Sequence, residues 1–322
     1  MSPERIFADG AEDVVLTATD HSDVENGGCP GRRASRSPAR RFCRTITPGM
    51  SLERDVEAVQ FGPICAHAVS MAEAIDLIVQ RAASGEGGFV LTPNIDHIAI
   101  ARRSHEMMVA YQRAFLSLAD GVPLVAVSRL LRLPIREKVS GSDLFEPLMA
   151  RCARDRLPVF FIGATREACE EASQKLRTEY PGIEVAGYDP SIFDLDSNPD
   201  GVIATLHRAR AAGARLIVVC LPPRKQLLLS RFEDEYRPAV GIGAGSALSF
   251  YAGHVRRAPP WVSRLGFEWL YRLVQEPRRL WRRYLVEDLA ALPVLARMVF
   301  DRLRGRALSR TTWPLRRRVP AA

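Results

Sequence analysis

The chain has 322 residues, of which 47% are hydrophobic and 25% are charged, values that are typical of a globular protein. This length leaves room for one large core or two small ones, and we expect one domain with appendages. No run of about 18 or more uncharged apolar residues occurs, so the sequence predicts no bilayer-spanning segment. Met1–Arg40 carries both signs of charge without an apolar stretch, so we expect no secretory signal.

The positive charge is concentrated at one end of the chain. The net charge is +8, but residues 256–322 hold sixteen arginines and five acidic residues, a balance of +11, so the remainder sums to about −3. A basic tail of this kind favours phosphate-bearing partners such as nucleic acid, anionic lipid or a phosphorylated substrate. The six cysteines form neither a CxxC pair nor a cluster with histidine, which indicates reduced cytosolic thiols and no metal site.

The pattern changes sharply after the first fifty residues. Residues 1–54 are rich in Ser, Gly, Pro and Arg without periodicity, which predicts a disordered segment. From Phe61 onward, short apolar runs alternate with amphipathic stretches such as "SMAEAIDLIVQRAAS", in which Ser70 and Glu73 have the spacing of a capping box. The apolar runs are "GFVLTPN", "FLSLADG", "PVFFIGA", "IEVAGY", "RLIVVCLPP" and "PAVGIGAG". Such alternation predicts a Rossmann-like parallel α/β sheet flanked by helices over residues 55–254.

In such a sheet a ligand binds beyond the carboxyl ends of the strands, so the residues that follow each apolar run are candidates. Asp120 follows "FLSLA" and is a candidate general base; an equal alternative is that it caps a helix that begins near Val122. Thr92 and Asn94 suit hydrogen bonding to a sugar or phosphate, although Thr-Pro-Asn is also ordinary turn chemistry.

Three further features have weaker signals. "GIGAGSALSF" resembles a dinucleotide fingerprint, but Ser246 replaces the last glycine and the motif lies on the last strand, so we do not expect NAD binding. A phosphate-binding or close-packing turn is left open there. His97 and His254 have no Ser or Cys partner at a suggestive spacing, and structural or solvated roles are expected.

Residues 255–322 predict a helical, Arg-rich appendage with a membrane-associating tail. Arg272, Arg279 and Arg282 share one side of a helix that Pro277 bends or restarts, while tryptophans recur beside them. These guanidinium groups suit a diphosphate, with a solvated basic face as the alternative. The later stretch "DLAALPVLARMVFDRLRGRALSR" is typical of an interfacial amphipathic helix, or of a helix that packs on a partner subunit.

Several motifs resemble the WecG/TagA/CpsF family of bacterial glycosyltransferases, in order from about Gly62 to Leu285. The motifs are "TPNIDHIAIAR", "LADGVPLV", "EKVSGSDL", "VFFIGA" and "RRAPPWVSRLGFEWLYRLVQEPRRLWRRYL". The resemblance implies a Rossmann-like core with a carboxyl-terminal appendage that helps to close the active site. It implies inverting transfer, without an obligatory metal, from a UDP-sugar to a polyprenyl-diphosphate-linked sugar at the cytoplasmic membrane face.

The resemblance also implies roles for particular residues. Asp120 would be the general base that deprotonates the acceptor hydroxyl, Thr92 and Asn94 would lie near the donor, and the appendage arginines would neutralise diphosphate charge. Together with the strand-end positions, this gives the predicted substrate-binding residues: Thr92, Asn94, Gly121, Lys138, Gly163, Gln226, Gly243, Gly245, Arg272, Arg279 and Arg282.

The chain departs from the family pattern in the presumed nucleotide pocket. Cys220 and Pro222 replace glycines, Arg224 replaces a proline and Leu227 replaces a glutamate. Ser249 stands where the family has an aspartate, and Lys138 where an arginine is expected. These departures affect the expected donor identity.

The sequence thus predicts a UDP-sugar-dependent transferase of exopolysaccharide or other surface-glycan assembly, peripherally attached to the inner membrane face. We expect no cofactor, no metal and no nucleic-acid partner, and a homo-oligomer is left open. The alternative is a non-catalytic nucleotide-sugar or nucleic-acid binding protein that retains the fold, for which the replaced Glu and Asp are the best support.

Overall fold

The computed structural model describes residues 55–135, 137–190, 195–221, 225–259, 262, 267–306 and 310–314. At positions 55, 225, 279 and 310–314 only the backbone is described. These residues all belong to one compact unit, Gly49–Ala322. The predicted disordered segment, residues 1–54, lies outside the described residues, and the three-part division of the chain stays a prediction.

A six-stranded parallel sheet forms the core, and its strands are the six apolar runs that the sequence predicts. They are β3 (Gly88–Leu91), β4 (Leu116–Ser117), β5 (Val159–Gly163), β6 (Val185–Asp189), β7 (Leu216–Cys220) and β8 (Val240–Gly243). Their order in the sheet is β4-β3-β8-β7-β5-β6, with every pairing parallel. The predicted α/β fold class is therefore confirmed.

Helices connect the strands, as right-handed crossover units require. They are α1 (Met71–Ser84), α2 (Ile95–Ala101), α3 (His105–Arg113), α4 (Val122–Leu130), α5 (Gly141–Asp155), α6 (Arg166–Glu179), α7 (Pro199–Ala211), α8 (Lys225–Arg231), α9 (Glu233–Tyr236) and α10 (Ala247–Ala252). The predicted capping box is present: Ser70 Oγ accepts from the Glu73 backbone, and the Glu73 side chain accepts from the Ser70 backbone.

The strands are apolar on both faces, because helices cover each side. Phe89 and Leu91 of β3 join one buried cluster with α2, α3, α7 and α8, whereas Val90 joins the other with α1, α5, α6 and α10. This alternation follows from the two-residue period of a strand. Because both faces of the sheet are covered, polar side chains lie at its carboxyl edge.

A second, antiparallel sheet lies outside the sequence prediction. It has the order β2-β1-β9, from β1 (Asp55–Phe61), β2 (Ile64–His67) and β9 (Arg310–Pro314). The β1–β2 turn contains Gly62, whose φ of 61° belongs to the left-handed region that favours glycine. Strand β9 pairs with β1 along its length, so residues 310–314 of the basic tail return to the start of the core.

From Glu268 to Leu303 the appendage is helical, as predicted, and Pro277 does restart the helix, whereas Arg310–Pro314 form strand β9 instead. Its elements are α11 (Glu268–Gln275), α12 (Pro277–Arg282), a π-helical segment (Arg283–Glu287), a short 3-10 segment (Asp288–Ala291) and α13 (Leu292–Leu303). Ala291, Leu295 and Met298 are buried in the cluster that contains β1 and α2. One face of the predicted interfacial helix therefore packs on the core of its own chain, which neither sequence-based interpretation of that helix included.

Among the described helices, not one combines the length and the apolar character that crossing a bilayer would need.

Candidate active site

Asp120 lies at the carboxyl edge of the sheet, three residues after the end of β4, and its side chain is half-buried. Its backbone N–H donates to the Pro93 carbonyl oxygen at 2.8 Å, which places it beside the turn that follows β3. The N-cap of α4 is Gly121, with a φ of 114° and no side-chain capping bond. Asp120 therefore precedes the N-cap position of α4, and the carboxylate remains a candidate base.

The Thr92–Asn94 turn is central at this edge, because β3 lies between β4 and β8. Thr92 is buried, and Asn94 is the N-cap of α2, where Asn94 Oδ1 accepts from the backbone N–H of His97 at 3.0 Å. Asn94 thus has the structural role that turn chemistry predicts. The cap holds the side chain in one orientation, which a binding role would also require.

Gln226, another predicted binding residue, is connected to the Thr92–Asn94 turn by its contact with His97. Gln226 Nε2 lies 2.9 Å from His97 Nε2, and His97 Nδ1 lies 2.6 Å from the Tyr111 hydroxyl oxygen. All three side chains are buried. The structural role expected for His97 is present, but sequence reasoning missed its contact with Gln226, because the two residues are 129 positions apart.

Lys138 connects the core to the appendage. Its Nζ lies 2.9 Å from Asp143 Oδ2, on the first turn of α5, and 3.7 Å from Glu268 Oε2, on the first turn of α11. Burial alone would lower the pKa of Lys138, but the hydrogen bond to Asp143 and the charges of Asp143, Glu268 and Asp120 outweigh it and raise the pKa. The ammonium group therefore stays charged within the field of Asp120.

A second ion pair ties the appendage to α2. Arg283 Nη2 lies 2.9 Å from Asp96 Oδ2, and Arg102 Nη1 donates to the Ala290 carbonyl oxygen at 2.6 Å. Burial, reinforced by the nearby charge of Asp96, raises the pKa of Asp288 to about 6, although Arg283 opposes this shift. Neither Asp96 nor Arg283 was predicted from the sequence as a site residue.

The three predicted arginines are differently placed. Arg282 is exposed, with its Nε 3.3 Å from Glu287 Oε1. Arg272 is half-buried; burial raises the pKa of Tyr284, and the charge of Arg272 opposes this shift. Arg279 lies on α12, and its side chain is outside the described residues. The tryptophan of α11, Trp269, packs edge-on against Tyr284 with ring centroids 6.0 Å apart, which joins two parts of the appendage to each other.

Gly163 and Gly243 end strands β5 and β8, and the backbone is closely packed at both. Gly163 has a φ of 87°, and a Cβ there would come within 2.8 Å of the Leu221 side chain. The Gly243 carbonyl oxygen would lie 3.0 Å from a Cβ on Gly141, at the start of α5. Gly121 and Gly245 also have positive φ. Binding of a substrate by these glycines stays a prediction.

The departures from the family pattern fall in different environments. Leu227, in place of the family's glutamate, is buried in the apolar cluster beneath α8, and Cys220 is buried at the end of β7. Ser249 lies on α10, where its carbonyl accepts from His254 and Val255. Pro222 and Arg224 lie outside the described residues.

The described part of the chain contains no group of three or more His, Cys, Asp or Glu side chains arranged to hold a metal ion. Within that same part, all but two of the large apolar side chains that are markedly exposed lie between Phe267 and Leu303. The two that lie elsewhere are Ile100 and Leu130. The appendage therefore combines a buried inner face with an apolar outer face.

A parallel α/β sheet with polar side chains at the carboxyl ends of adjacent strands is the architecture of nucleotide-binding enzymes. The family model described as Glycosyl transferase WecG/TagA/CpsF family matches residues 59–306. The chain belongs to this family of glycosyltransferases. One relative, from Bacillus spizizenii strain W23, is 30% identical over 202 residues, which cover 62% of this chain and 76% of the relative. That protein is named N-acetylglucosaminyldiphosphoundecaprenol N-acetyl-beta-D-mannosaminyltransferase.

Proposed function

We propose that this protein transfers a sugar from a UDP-sugar to a polyprenyl-diphosphate-linked saccharide, with inversion, in the assembly of a surface glycan. The observation that carries this proposal is the position of Asp120: a half-buried aspartate that precedes the N-cap of α4 and is bonded through its backbone to the turn that contains Thr92 and Asn94. The relative's printed acceptor, a GlcNAc-diphosphoundecaprenol, supports the lipid-linked substrate class.

In this mechanism Asp120 accepts the proton of the acceptor hydroxyl as the hydroxyl oxygen attacks the anomeric carbon. The bond from that carbon to the diphosphate oxygen breaks, and UDP leaves with the electron pair from the opposite face. The new glycosidic bond therefore has inverted configuration. Thr92, Asn94 and Gln226 would hold the donor in line, which reduces the entropic part of the barrier.

Negative charge develops on the leaving diphosphate, and cationic side chains would stabilise it. Arg272, Arg279 and Arg282 are the proposed groups, because a guanidinium binds phosphate oxygens bidentately. Lys138, whose pKa is raised through Asp143 and neighbouring acids, would supply a further fixed charge beside Asp120. On this basis we propose transfer that needs no added metal.

The outer face of the appendage suits the surface of the membrane that holds such an acceptor. Exposed apolar side chains include Leu285, Leu289, Phe300 and Leu303, and arginines lie among them. Apolar insertion together with attraction to anionic lipid gives reversible attachment, with about 1 kcal/mol from each basic residue near the surface. We therefore propose a peripheral protein at the cytoplasmic membrane face.

The test is transfer from a panel of radiolabelled UDP-sugars to synthetic polyprenyl-diphosphate-GlcNAc and polyprenyl-diphosphate-glucose, with and without EDTA. UDP-N-acetylmannosamine is the first donor, because of the relative's name. EDTA-resistant product with inverted linkage is the expected result. Product that requires a divalent cation would overturn metal independence alone, whereas UDP binding without product from any donor would favour a non-catalytic nucleotide-sugar binder.

A further inference from the structure

A buried chain of three side chains connects the turn after β3 with the helix after β7. Gln226 Nε2 lies 2.9 Å from His97 Nε2, and His97 Nδ1 lies 2.6 Å from the hydroxyl oxygen of Tyr111. The backbone N–H of the same histidine donates to Asn94 Oδ1 at 3.0 Å. His97 therefore contacts two predicted substrate-binding side chains, one through its backbone and one through its ring.

The depth of this chain makes its hydrogen bonds important. The exposed fractions are 7% for His97, 1% for Tyr111 and 2% for Gln226. An unsatisfied polar group at such a depth destabilises the folded state, so the three groups hold one another in a single arrangement. Apolar residues would fill the same space without this requirement, and they would leave Gln226 free to rotate.

The hydrogen positions follow from the partners. Burial, followed by the charges of Asp120 and Asp96, raises the pKa of Tyr111 well above its ordinary value, so the phenol stays neutral. With the amide nitrogen of Gln226 donating to Nε2, a neutral imidazole has its hydrogen on Nδ1 and donates it to the Tyr111 oxygen. In this arrangement the amide oxygen of Gln226 is the atom that would accept from a donor group on a ligand, such as the N3–H of uracil or a ribose hydroxyl.

We propose that His97 is a positioning residue that holds Gln226 and Asn94 in register for the nucleotide of the donor, with Tyr111 fixing the imidazole ring. The inference rests on the proposed function, because it assigns Gln226 to the UDP moiety. It extends that function by two residues, His97 and Tyr111, that would act on the donor without reaching the reacting atoms.

Two isosteric substitutions separate the two contacts of the ring. In His97→Gln the side-chain amide reaches the position of Nε2, so the contact with Gln226 is retained and the contact with Tyr111 is lost. In His97→Asn the amide occupies the position of Nδ1, so the contact with Tyr111 is retained and the contact with Gln226 is lost. A role in folding alone gives no reason for these variants to differ in donor binding.

The experiment measures donor KM and kcat with whichever UDP-sugar supports transfer, UDP affinity by calorimetry, and the free energy of unfolding. We expect His97→Asn to raise donor KM and the UDP Kd about tenfold, the factor for losing one oriented hydrogen bond, while kcat changes less than about threefold. His97→Gln should keep donor KM within about threefold of wild type. Tyr111→Phe, which removes one hydroxyl, should fall between them.

Tyr236→Phe is the matched control, because Tyr236 is also fully buried and its hydroxyl donates one hydrogen bond, at 2.9 Å to the Leu229 carbonyl oxygen. It should lower stability about as much as Tyr111→Phe and leave donor KM unchanged. Equal donor KM values for His97→Asn and His97→Gln, or for Tyr111→Phe and Tyr236→Phe, would overturn the inference. If the wild-type protein still transfers sugar in that case, the proposed function stands. A wild-type protein that neither binds UDP nor transfers sugar would overturn both. If His97→Asn does not fold, the comparison of the two tyrosine variants decides.

Discussion

The backbone N–H of Asp120 donates to the carbonyl oxygen of Pro93 at 2.8 Å. The Leu118 N–H donates to the Leu91 carbonyl oxygen at the same distance, so the parallel ladder continues past the ends of β4 and β3. Backbone bonds therefore set the position of Asp120 relative to the Thr92–Asn94 turn. A substitution that changes only the Asp120 side chain should alter its chemistry without moving the turn.

Replacing Asp120 with Asn should abolish proton acceptance while the shape of the side chain is retained. We expect kcat to fall by about 10²–10⁴-fold, the range for loss of a general base, and the UDP Kd to stay within about threefold. Steady-state transfer and calorimetry measure the two quantities. Asp189→Asn is the control: this buried strand-end aspartate accepts from Thr205 and pairs with Arg208, so its loss should lower stability and leave kcat within about twofold. Wild-type turnover in Asp120→Asn would rule out the base assignment.

The double variant Arg279→Ala/Arg282→Ala tests the proposed diphosphate-binding role of the appendage. Loss of two guanidinium groups from a diphosphate should lower kcat/KM for the lipid-linked acceptor or the donor by at least about 100-fold, with little change in the melting temperature. Arg297→Ala on α13 is the control, because its side chain is 81% exposed and its ion pair with Asp301 is long, at 3.8 Å. If the double variant and the control have the same activity, the arginines form a solvated basic face.

The ion pair between Asp96 and Arg283 should hold the π-helical segment of the appendage against α2. Their side chains are 12% and 34% exposed, so we expect a coupling energy of about 1–2 kcal/mol, below the 3–5 kcal/mol for breaking a fully buried pair. A double-mutant cycle of Asp96→Asn and Arg283→Met measures this coupling from unfolding curves. Each single variant should also increase limited proteolysis near the appendage. Additive effects in the cycle would show that the contact contributes nothing to docking.

Asp288 should make stability depend on pH between about 4 and 6. A carboxyl group whose pKa is higher in the folded state, here about 6 against an unfolded value of about 3.9, binds its proton more tightly when folded. Its contribution to stability is therefore fully present below about pH 4 and is lost as the pH rises through 6. The groups that face it are Asp96, Arg283 and Glu287.

Asp288→Asn should remove this loss, so its melting temperature relative to wild type should rise as the pH increases from 4 to 7. Thermal unfolding at four or five pH values measures the difference. Asp234→Asn is the control, since its side chain is 89% exposed, and its curve should parallel that of wild type. A constant difference between Asp288→Asn and wild type across this range would contradict the prediction.

Gly163→Ala and Gly213→Ala separate two reasons why a position requires glycine: a left-handed φ, and a lack of space for a Cβ atom. Both residues have left-handed φ, 87° and 73°, but a Cβ on Gly163 would lie 2.8 Å from Leu221 Cδ2, whereas a Cβ on Gly213 would meet nothing within 4 Å. Gly213→Ala should cost about 1 kcal/mol of unfolding free energy from backbone strain alone. Gly163→Ala should cost about 1–3 kcal/mol more, because Leu221 must move. Equal costs in chemical denaturation would show that packing against Leu221 is unimportant.

The appendage shows why some of the site could not be predicted. Helical spacing and the family resemblance indicate Arg272, Arg279 and Arg282, but Pro277 leaves the helical register beyond it undetermined by the sequence. Pro277 restarts the helix, and the π-helical segment begins at Arg283, so the register changes at the point where Arg283 turns toward Asp96. A π-helical segment often marks a functional position, but the sequence pattern does not reveal one.

The sequence by itself determined the six strands of the parallel sheet, the residues at their carboxyl ends and the basic character of the appendage. These are local properties, because apolar periodicity and turn residues report burial and chain direction within a few positions. The tertiary structure alone decided that Asp120 lies beside the Thr92–Asn94 turn, that β9 pairs with β1 and that His97 contacts Gln226. Each of these depends on which distant segments meet, and 129 residues separate His97 from Gln226. The local sequence pattern does not predict such contacts, because they depend on the order of the strands in the sheet and on how the appendage packs against α2.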